Sequence, residues 1–498
     1  MGMTVLQGGR MHAPSIPDAT ALAVRDGVIV WVGSDADRPA ADEVIDLRGA
    51  FVAPAFVDAH VHCTGAGLLR TGLDLTACES LASLLEQVSE RSAAGTLIWG
   101  HGWDETAWPE RRPPTRAELD RAAGGASVYL SRIDVHSALV TSSLVTPKAR
   151  AATGWSADGP VSQDAHHVLR AVVRDAITPE QRRGAQREFL AHAASKGVAA
   201  VHECAGPDIS GADDLADLVA LSGDSLPEVV CYWGARAAAL PAGARGLAGD
   251  LFVDGALGSR TAALCAPYLD QPDTAGALYL EPEQIAEHIV SCTEAGIQAG
   301  FHVIGDAAVG AVVEGFGHAE RIMGGPALRA ARHRLEHLEM VTAAQAGRLA
   351  AWGVIASVQP QFDAAWGGRE GMYAQRLGPD RGSALNPFAA LSAAGVLLAL
   401  GSDCPVTPID PWATVRAAVH HRTPGFGISV LDAFTAHTRN GWYAAGVDGL
   451  AGTLEPGAPA TYAVWDTDGM PTLEPGTALP ACLRTVRDGR VIYDREST

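Results

Sequence analysis

Short apolar runs alternate with Ala- and Leu-rich stretches through most of the chain. This pattern is typical of buried parallel strands separated by helices, and it predicts an α/β fold with a (β/α)8 TIM-like barrel. The eight runs that predict barrel strands are Phe51 to Ala59, Gly197 to His202, Val229 to Trp233, Asp250 to Val253, Gln298 to Val303, His333 to Glu336, Val354 to Val358 and Leu397 to Leu400.

Both ends of the chain carry a hairpin pattern, in which two short apolar runs flank an Asp-Gly turn. The paired runs are Ala21 to Val24 with Val28 to Val32, and Leu483 to Val486 with Val491 to Tyr493. Together with Thr461 to Trp465, they predict one small β-sandwich built from residues 1–50 and 449–498, with the barrel at 51–448. Two separate terminal hairpins are the alternative that the pattern leaves open.

A stretch of about 140 residues separates the first two predicted barrel strands, which is too long for a single helix. It contains an aromatic, turn-rich segment from Trp99 to Pro114 and a strand-like run from Ser127 to Ser131. We interpret residues 70–195, approximately, as an insertion that caps the barrel mouth.

Charge, cysteine content and apolar runs limit the partners and the location expected for this protein. The 498 residues include 37 basic and 57 acidic side chains, for a net charge of −20, which argues against nucleic acid or an anionic membrane as partner. The eight cysteines form no C-x-x-C pair, which favours reduced thiols. No signal-peptide pattern and no apolar run of about 20 residues is present, so a cytoplasmic location and a small-molecule substrate are expected.

Metal-competent side chains stand where several predicted strands end. His60 and His62 close the first strand, and residues two apart on a strand point to the same face. His302, His337 and Asp403 follow three later strands. In a barrel, the carboxyl ends of the strands form the active face, so these five residues predict a site for zinc or a similar ion.

Several motifs resemble those of one known family. FVDAHVH, HVIGDAA, RLEHLE and LGSDCPV are similar to strand motifs of the amidohydrolase superfamily. DGALGSRTAAL, HGWDETAWPE and SRIDVHSALV resemble its amidohydrolase-3 or YtcJ-like branch, which includes N-substituted formamide deformylase. The resemblance covers almost the whole chain and favours the shared terminal sandwich.

The resemblance implies a metal-dependent hydrolase of amide-type C–N bonds, acting on an N-substituted formamide or another N-acyl amine. It implies that His60 and His62 bind a buried metal. His302 and His337 would bind a second metal, or one of them would bind metal while the other orients water. Asp403 would bind metal and shuttle the proton, so that Asp403 and His337 are the catalytic pair. A deaminase, a cyclic-amide hydrolase, an isomerase and a non-catalytic binding barrel remain alternatives.

The chain departs from this family at one position. Relatives usually carry a lysine, which can be carboxylated to bridge two metals, where this chain has Asp250. Because aspartate is several atoms shorter, we expect a single zinc held by His60, His62, His302 and Asp403, with His337 orienting the water. A two-metal site bridged by Asp250 or Glu203 is the rival interpretation. Cys204 is expected to be a buried small hydrophobe rather than a ligand.

Five further residues are candidates for substrate binding because they lie in motifs of the branch. They are Trp103, Asp104, Arg132, His136 and Arg260. Each also has a structural interpretation, such as folding the insertion or forming a salt bridge. The sequence does not determine the oligomeric state, and a homodimer is left open.

Overall fold

The computed structural model describes residues 2–93, 95–222, 225–236 and 239–497. Over these residues the chain forms an eight-stranded sheet, two five-stranded sheets and one four-stranded sheet. The eight strands are parallel and nearly closed into a barrel, so the predicted fold class is confirmed. Short 3₁₀ turns occur at Asp35–Asp37, Glu105–Ala107, Ser142–Leu144 and Arg495–Ser497.

The amino-terminal strands belong to two small sheets. They are β1 (Met3–Gln7), β2 (Arg10–Met11), β3 (Ala21–Arg25), β4 (Val28–Gly33), β5 (Glu43–Asp46) and β6 (Phe51–Pro54). The first sheet has the order β4-β3-β1-β5. Arg25 pairs with Val28, and both Asp26 and Gly27 have positive φ, as a two-residue hairpin turn requires. The predicted amino-terminal hairpin is therefore confirmed.

The first barrel strand, β7 (Phe56–Val61), is followed by the long insertion. The elements between the first two barrel strands are α1 (Cys63–Thr71), β8 (Leu73–Asp74), α2 (Leu81–Arg91), β9 (Leu97–Trp103), α3 (Arg116–Ala123), β10 (Ser127–Arg132), β11 (Ser137–Val140), α4 (Pro147–Ala151), β12 (Val161–Ser162), α5 (Gln163–Arg174) and α6 (Pro179–Ser195). The strands of the insertion form a sheet of order β12-β11-β10-β9-β8, in which β10 is the strand predicted at Ser127 to Ser131.

Helices lie between most of the remaining barrel strands, but none is described between the third and the fourth strand of the barrel. The strands are β13 (Val198–Ala205), β14 (Glu228–Trp233), β15 (Ala244–Leu247), β16 (Gln298–Val303), β17 (Arg334–His337), β18 (Ile355–Val358) and β19 (Leu397–Leu400). The helices are α7 (Ala212–Leu221), α8 (Pro282–Glu294), α9 (Asp306–Met323), α10 (Gly325–Ala331), α11 (Ala343–Ala351), α12 (Pro360–Trp366), α13 (Met372–Leu377), α14 (Pro379–Gly382), α15 (Phe388–Ala393), α16 (Pro411–Val419), α17 (Val430–Ala436) and α18 (Arg439–Ala444).

The ring closes between β7 and the segment that follows β19. The amide of His62 donates to the carbonyl of Cys404 at 2.8 Å, and the amide of Asp403 donates to the carbonyl of His60 at 2.8 Å. The closing contacts thus involve residues that the sequence assigns to the metal site.

Two of the predicted barrel strands were wrong in their bounds. The fourth strand is Ala244–Leu247 rather than Asp250 to Val253, whose only described strand-like contact is a bridge between Phe252 and His302. The run from Phe51 to Ala59 is two strands, because the chain passes at Ala55 from the terminal sheet to the barrel. Apolar continuity did not reveal this break, since both halves are buried.

The chain ends with β20 (Tyr462–Trp465), β21 (Cys482–Arg487) and β22 (Arg490–Asp494). These strands complete a sheet of order β2-β6-β20-β21-β22, which joins both ends of the chain. The two Asp-Gly turns pack against each other: a Cβ on Gly27 would lie 2.6 Å from the carbonyl oxygen of Asp488. Within the described ranges, none of the helices has the length and apolar character to cross a membrane.

Candidate functional site

Four histidines and two aspartates meet at the carboxyl ends of the barrel strands. His60 lies near the end of β7 with His62 just beyond it, His302 lies on β16, His337 ends β17, and Asp250 and Asp403 follow β15 and β19. All six side chains are buried. The structure therefore brings together the five strand-end residues singled out in the sequence, and it adds Asp250 to them.

Asp250 lies at the centre of this cluster. Its Oδ1 is 3.4 Å from Nε2 of His60, 3.6 Å from Nδ1 of His302 and 3.8 Å from Nε2 of His337. Its Oδ2 is 3.2 Å from Nε2 of His62. Asp250 is buried, so it is not a solvated residue at the surface of the barrel.

Asp403 contacts the cluster from the other side. Its Oδ1 is 3.1 Å from Nε2 of His62 and 3.5 Å from Nε2 of His60. Atoms that share one coordination sphere of roughly 2 Å radius lie roughly 3–4 Å apart. The spacing of these side chains is therefore that of metal ligands.

Hydrogen bonds fix which ring nitrogens face Asp250. Nδ1 of His60 is 2.9 Å from Glu336, Nδ1 of His337 is 2.7 Å from Oε1 of Gln359, and Nε2 of His302 is 3.3 Å from the carbonyl oxygen of Gly255. Since each partner is an acceptor, that nitrogen carries the proton in the neutral ring. The other nitrogen then offers a lone pair toward the cluster.

Glu336 holds His60 in place and is itself held by Arg334. The guanidinium donates to both oxygens of Glu336, with Nη2 at 2.9 Å from Oε2. Burial opposes ionisation of Glu336, but Arg334 lowers its pKa to about 2, so the carboxylate is charged. A carboxylate behind a histidine orients the ring and raises the basicity of its free nitrogen toward a metal.

Among the described residues, Asp250 and Asp403 form ion pairs with histidines and not with a lysine or an arginine. Nε2 of His60, Nδ1 of His302 and the Oδ1 atoms of Asp250 and Asp403 are buried without a hydrogen-bond partner. Burial opposes a charge on His62, yet the carboxylates of Asp250 and Asp403 raise its pKa to about 9, which shows the negative potential of the site. Lone pairs and carboxylates that converge in this way fit one or more divalent metal ions.

Two of these residues have a backbone conformation that L-residues rarely adopt. His337 has φ of 69° and Asp403 has φ of 54°. Such conformations cost on the order of 1–3 kcal/mol each and persist where the surrounding structure holds them. The hydrogen bond from Asp403 to the carbonyl of His60 is one such restraint.

Glu203 and Cys204 are buried beside the cluster. Oε2 of Glu203 accepts a 2.7 Å hydrogen bond from the amide of Cys63 at the start of α1. This bond satisfies one of the unpaired amides of the helix terminus. The sulfur of Cys204 lies within 4.8 Å of ligand atoms of His60 and Glu336. Cys204 was expected to be only a buried small hydrophobe, yet it lies next to the site.

Two cavities meet at the cluster. The main cavity, about 960 Å³ including its open end, is lined by Asp250 and Asp403 and by Trp99, Tyr129, His136 and Arg170 of the insertion. The second, about 330 Å³ counted in the same way, is lined by Ile304, Glu339, Phe362, Trp366, Met372 and Tyr373. We call the second the aromatic chamber. The insertion therefore lines the mouth of the barrel.

Of the five residues predicted to bind substrate, His136 lines both cavities, and its ring centroid is 5.0 Å from that of His302. Burial lowers the pKa of His136 well below its usual value, so its ring is neutral. Arg260 instead pairs with Asp270, at 3.1 and 2.7 Å, and is not among the described residues that line either cavity.

Trp103, Asp104 and Arg132 also lie outside the described lining of both cavities. Trp103 is buried in the insertion and donates to the carbonyl of Leu130 at 2.8 Å. Arg132 pairs with Asp104 at 2.7 Å, and with Glu105 and Asp134 at 3.0 Å each. The positions of these three residues fit the structural interpretation and not substrate contact.

The Arg132 network also joins the insertion to the barrel. Glu105 accepts from Arg132 with one oxygen and from Arg376 of α13 with the other, at 2.8 Å. Ser259 donates to Asp134 at 2.8 Å. The insertion is thus fixed to the segment after β18 by a buried ion pair and to the loop after β15 by a hydrogen bond.

Replacing Arg132 by methionine is expected to lower the free energy of unfolding of the insertion by about 3–5 kcal/mol, because three carboxylates would lose their shared cation in a buried place. Denaturant unfolding followed by tryptophan fluorescence measures this, since the guanidinium lies 5.8 Å from the ring of Trp103, one of the eleven tryptophans. The control is Arg369→Met, whose exposed pair with Asp380 should contribute at most about 1 kcal/mol. Equal losses in the two variants would contradict the expected role of Arg132.

Three supporting residues of the site were not singled out in the sequence. Glu336 and Gln359 hold His60 and His337, and Arg170 lines the main cavity. Glu336 lies inside a quoted motif, and its alternation with Arg334 on β17 is a signal that both face the barrel interior. Nothing in the local sequence marks Gln359 or Arg170.

Comparison with known proteins places the chain in a family. It is 27% identical to the putative amidohydrolase YtcJ of Bacillus subtilis, covering 95% of this chain and 96% of that one. It is 24% identical to the N-substituted formamide deformylase of Arthrobacter pascens, over 96% and 95% of the two chains. A solved structure of an uncharacterized metal-dependent hydrolase from Pyrococcus furiosus superposes with a TM-score of 0.70 at 26% identity, over 93% and 99% of the chains. The sequence profile of the amidohydrolase family matches residues 43–493, and the chain belongs to that family.

Proposed function

We propose that this amidohydrolase cleaves the C–N bond of an N-substituted formamide or another N-acyl amine, with divalent metal bound among the four histidines and two aspartates. The observation that carries the proposal is the convergence of unpaired ring nitrogens and carboxylate oxygens where the two cavities meet. The similarity to a formamide deformylase supports the choice of an acyl amine.

The geometry favours two ions over the single zinc expected from the sequence. Asp250 faces His62 with Oδ2, and it faces His60, His302 and His337 with Oδ1. His60, His62 and Asp250 form one group of mutually close ligand atoms, Asp250, His302 and His337 form a second, and His60, His337 and Asp403 form a third. Asp250 belongs to the first two groups, so it would contribute a ligand oxygen to each ion if two were held, and its negative charge would offset their repulsion.

Bound divalent ions would polarise the substrate carbonyl and lower the pKa of the water that attacks it. Asp403 takes the proton from that water as the C–O bond forms, and it transfers the proton to the nitrogen as the C–N bond breaks. The products are a carboxylic acid and an amine. His337 is kept in one orientation by Gln359, so that its Nε2 stays directed at the reacting centre.

The aromatic chamber supports a substrate with an apolar group on one side of the scissile bond. Its wall includes Phe362, Trp366, Met372 and Tyr373, and the ring of His337 stacks on Phe362 with centroids 5.9 Å apart. Apolar pockets with a few polar groups are typical of small-molecule sites. The main cavity, which meets the chamber at the cluster, receives the rest of the molecule.

The test combines metal analysis with a substrate screen. Protein purified without chelator should contain two equivalents of divalent metal per chain, and it should release formate or another acid from members of a panel of N-acyl amines. A single equivalent would restore the one-ion interpretation. Turnover confined to cyclic amides or to loss of ammonia would assign the site to those reactions, and metal-loaded protein that acts on no compound would contradict hydrolysis of an acyl amine.

A further inference from the structure

Arg170 occupies an unusual place in the main cavity. It projects from α5 of the insertion, and its Nη2 donates to the carbonyl of Val135 at 2.9 Å. Within the part of the chain that the structure describes, no carboxylate lies within 4.0 Å of its guanidinium. Arginine has five N–H donors, so this side chain keeps both a positive charge and donors for another group.

The second arginine of the cavity is already engaged elsewhere. Arg174 donates to the carbonyl of Pro207 at 2.9 Å, and its Nε lies 3.8 Å from Asp175. Among the described residues that line the main cavity, Arg170 and Arg174 are the arginine or lysine side chains. Arg170 is therefore the cavity cation that lacks a carboxylate partner in the described chain.

The surroundings of Arg170 connect it to the catalytic cluster. Val135, its hydrogen-bond acceptor, precedes His136, whose ring lies 5.0 Å from the ring of His302. On the same wall, Nδ1 of His167 is buried without a hydrogen-bond partner. A ligand that reaches from the cluster along this wall meets the remaining donors of Arg170, which also hydrogen-bonds Tyr129, and the unpaired nitrogen of His167.

We propose that the substrate carries a carboxylate remote from the scissile bond and that Arg170 binds it in the main cavity. A carboxylate matches the single uncompensated charge, whereas a phosphate dianion would need further cationic donors. The inference rests on the proposed function, since it specifies which acyl amines are substrates. Such a substrate carries its acyl amine group near the ions and a carboxylate near the mouth of the main cavity.

The test compares 4-formamidobenzoate with 4-formamidobenzamide, which has the same shape without the charge. With metal-loaded protein, kcat/KM should favour the acid by about 10–100-fold, the range of a charge-assisted hydrogen bond. Arg170→Met should remove this preference by raising KM for the acid, with the amide unchanged. Arg170→Lys should restore part of it. The control is Arg183→Met on α6, at an exposed pair with Glu180.

Equal turnover of acid and amide by the unaltered protein, or equal losses for both in Arg170→Met, would overturn the inference. If neither compound is hydrolysed, the proposed function fails for this class, and calorimetric binding of benzoate to the metal-loaded protein decides the role of Arg170. Binding that weakens at least about 10-fold in Arg170→Met supports the anion site. Benzoate that keeps its affinity in that variant, or does not bind at all, contradicts it.

Discussion

Asp250→Ala should be isolated with neither metal ion bound and without hydrolytic activity. Each of the four histidines has a ring nitrogen within 3.8 Å of this carboxylate, so its removal takes a ligand from both groups at once. Mutating a residue that hydrogen-bonds to a metal ligand typically lowers the metal affinity 10–100-fold. A ligand shared by two ions should therefore cost more than about 100-fold, as measured by metal content after gel filtration and by titration of the apoprotein.

Two further variants make this result interpretable. His302→Ala should keep about one equivalent, because the group of His60, His62 and Asp250 remains. Asp213→Ala, an exposed acidic residue on α7, should keep the full metal content. If Asp250→Ala keeps one equivalent and His302→Ala none, the single-ion interpretation with His302 as ligand is correct. Circular dichroism shows whether each variant is folded.

Asp403→Asn should lower turnover by about 10²–10⁴-fold while leaving most of the metal in place. The amide is close in size to the carboxylate and can still contact His62, but it cannot accept and release the proton. The loss should appear in kcat and in kcat/KM alike, because proton transfer belongs to the transition state.

The measurement is steady-state kinetics on the best substrate of the screen, with metal content determined on the same sample. Asp164→Asn, at an exposed position on α5, provides a control with the same chemical change. Near-normal turnover of Asp403→Asn with its metal retained would remove Asp403 from the proton transfer. Loss of metal in that variant would show that its role as ligand dominates.

Most barrel strands could be predicted from the sequence because strands buried on both faces leave continuous apolar runs. Strand β15 was missed because its sequence, Ala-Arg-Gly-Leu, has little β-propensity. Its glycine is required by packing, since a Cβ on Gly246 would lie 2.4 Å from the carbonyl oxygen of Gln298. That constraint comes from the neighbouring strand and leaves no local pattern.

In the candidate site, too, some features could be predicted from local sequence and others depend on contacts between distant segments. Residues at strand ends were found because the barrel itself brings strand ends together. Asp250 was offered only as a ligand in the rival interpretation, because its position depends on the loop after β15. The motif around Arg132 identified it as a residue of interest, but it did not predict that Arg132 forms structural ion pairs. Its partners Glu105 and Asp134 come from separate loops of the insertion.

The closure of the ring between β7 and the segment after β19 has a consequence for biosynthesis. Asp58 accepts a hydrogen bond from the amide of Ser402 across a separation of 344 residues. His60 and Asp403 meet at the same seam, so a nascent chain that lacks the last barrel strand has no complete proposed site. Completion of the proposed site is therefore a late step of folding, because Asp403 joins His60 only when the last barrel strand has been synthesised.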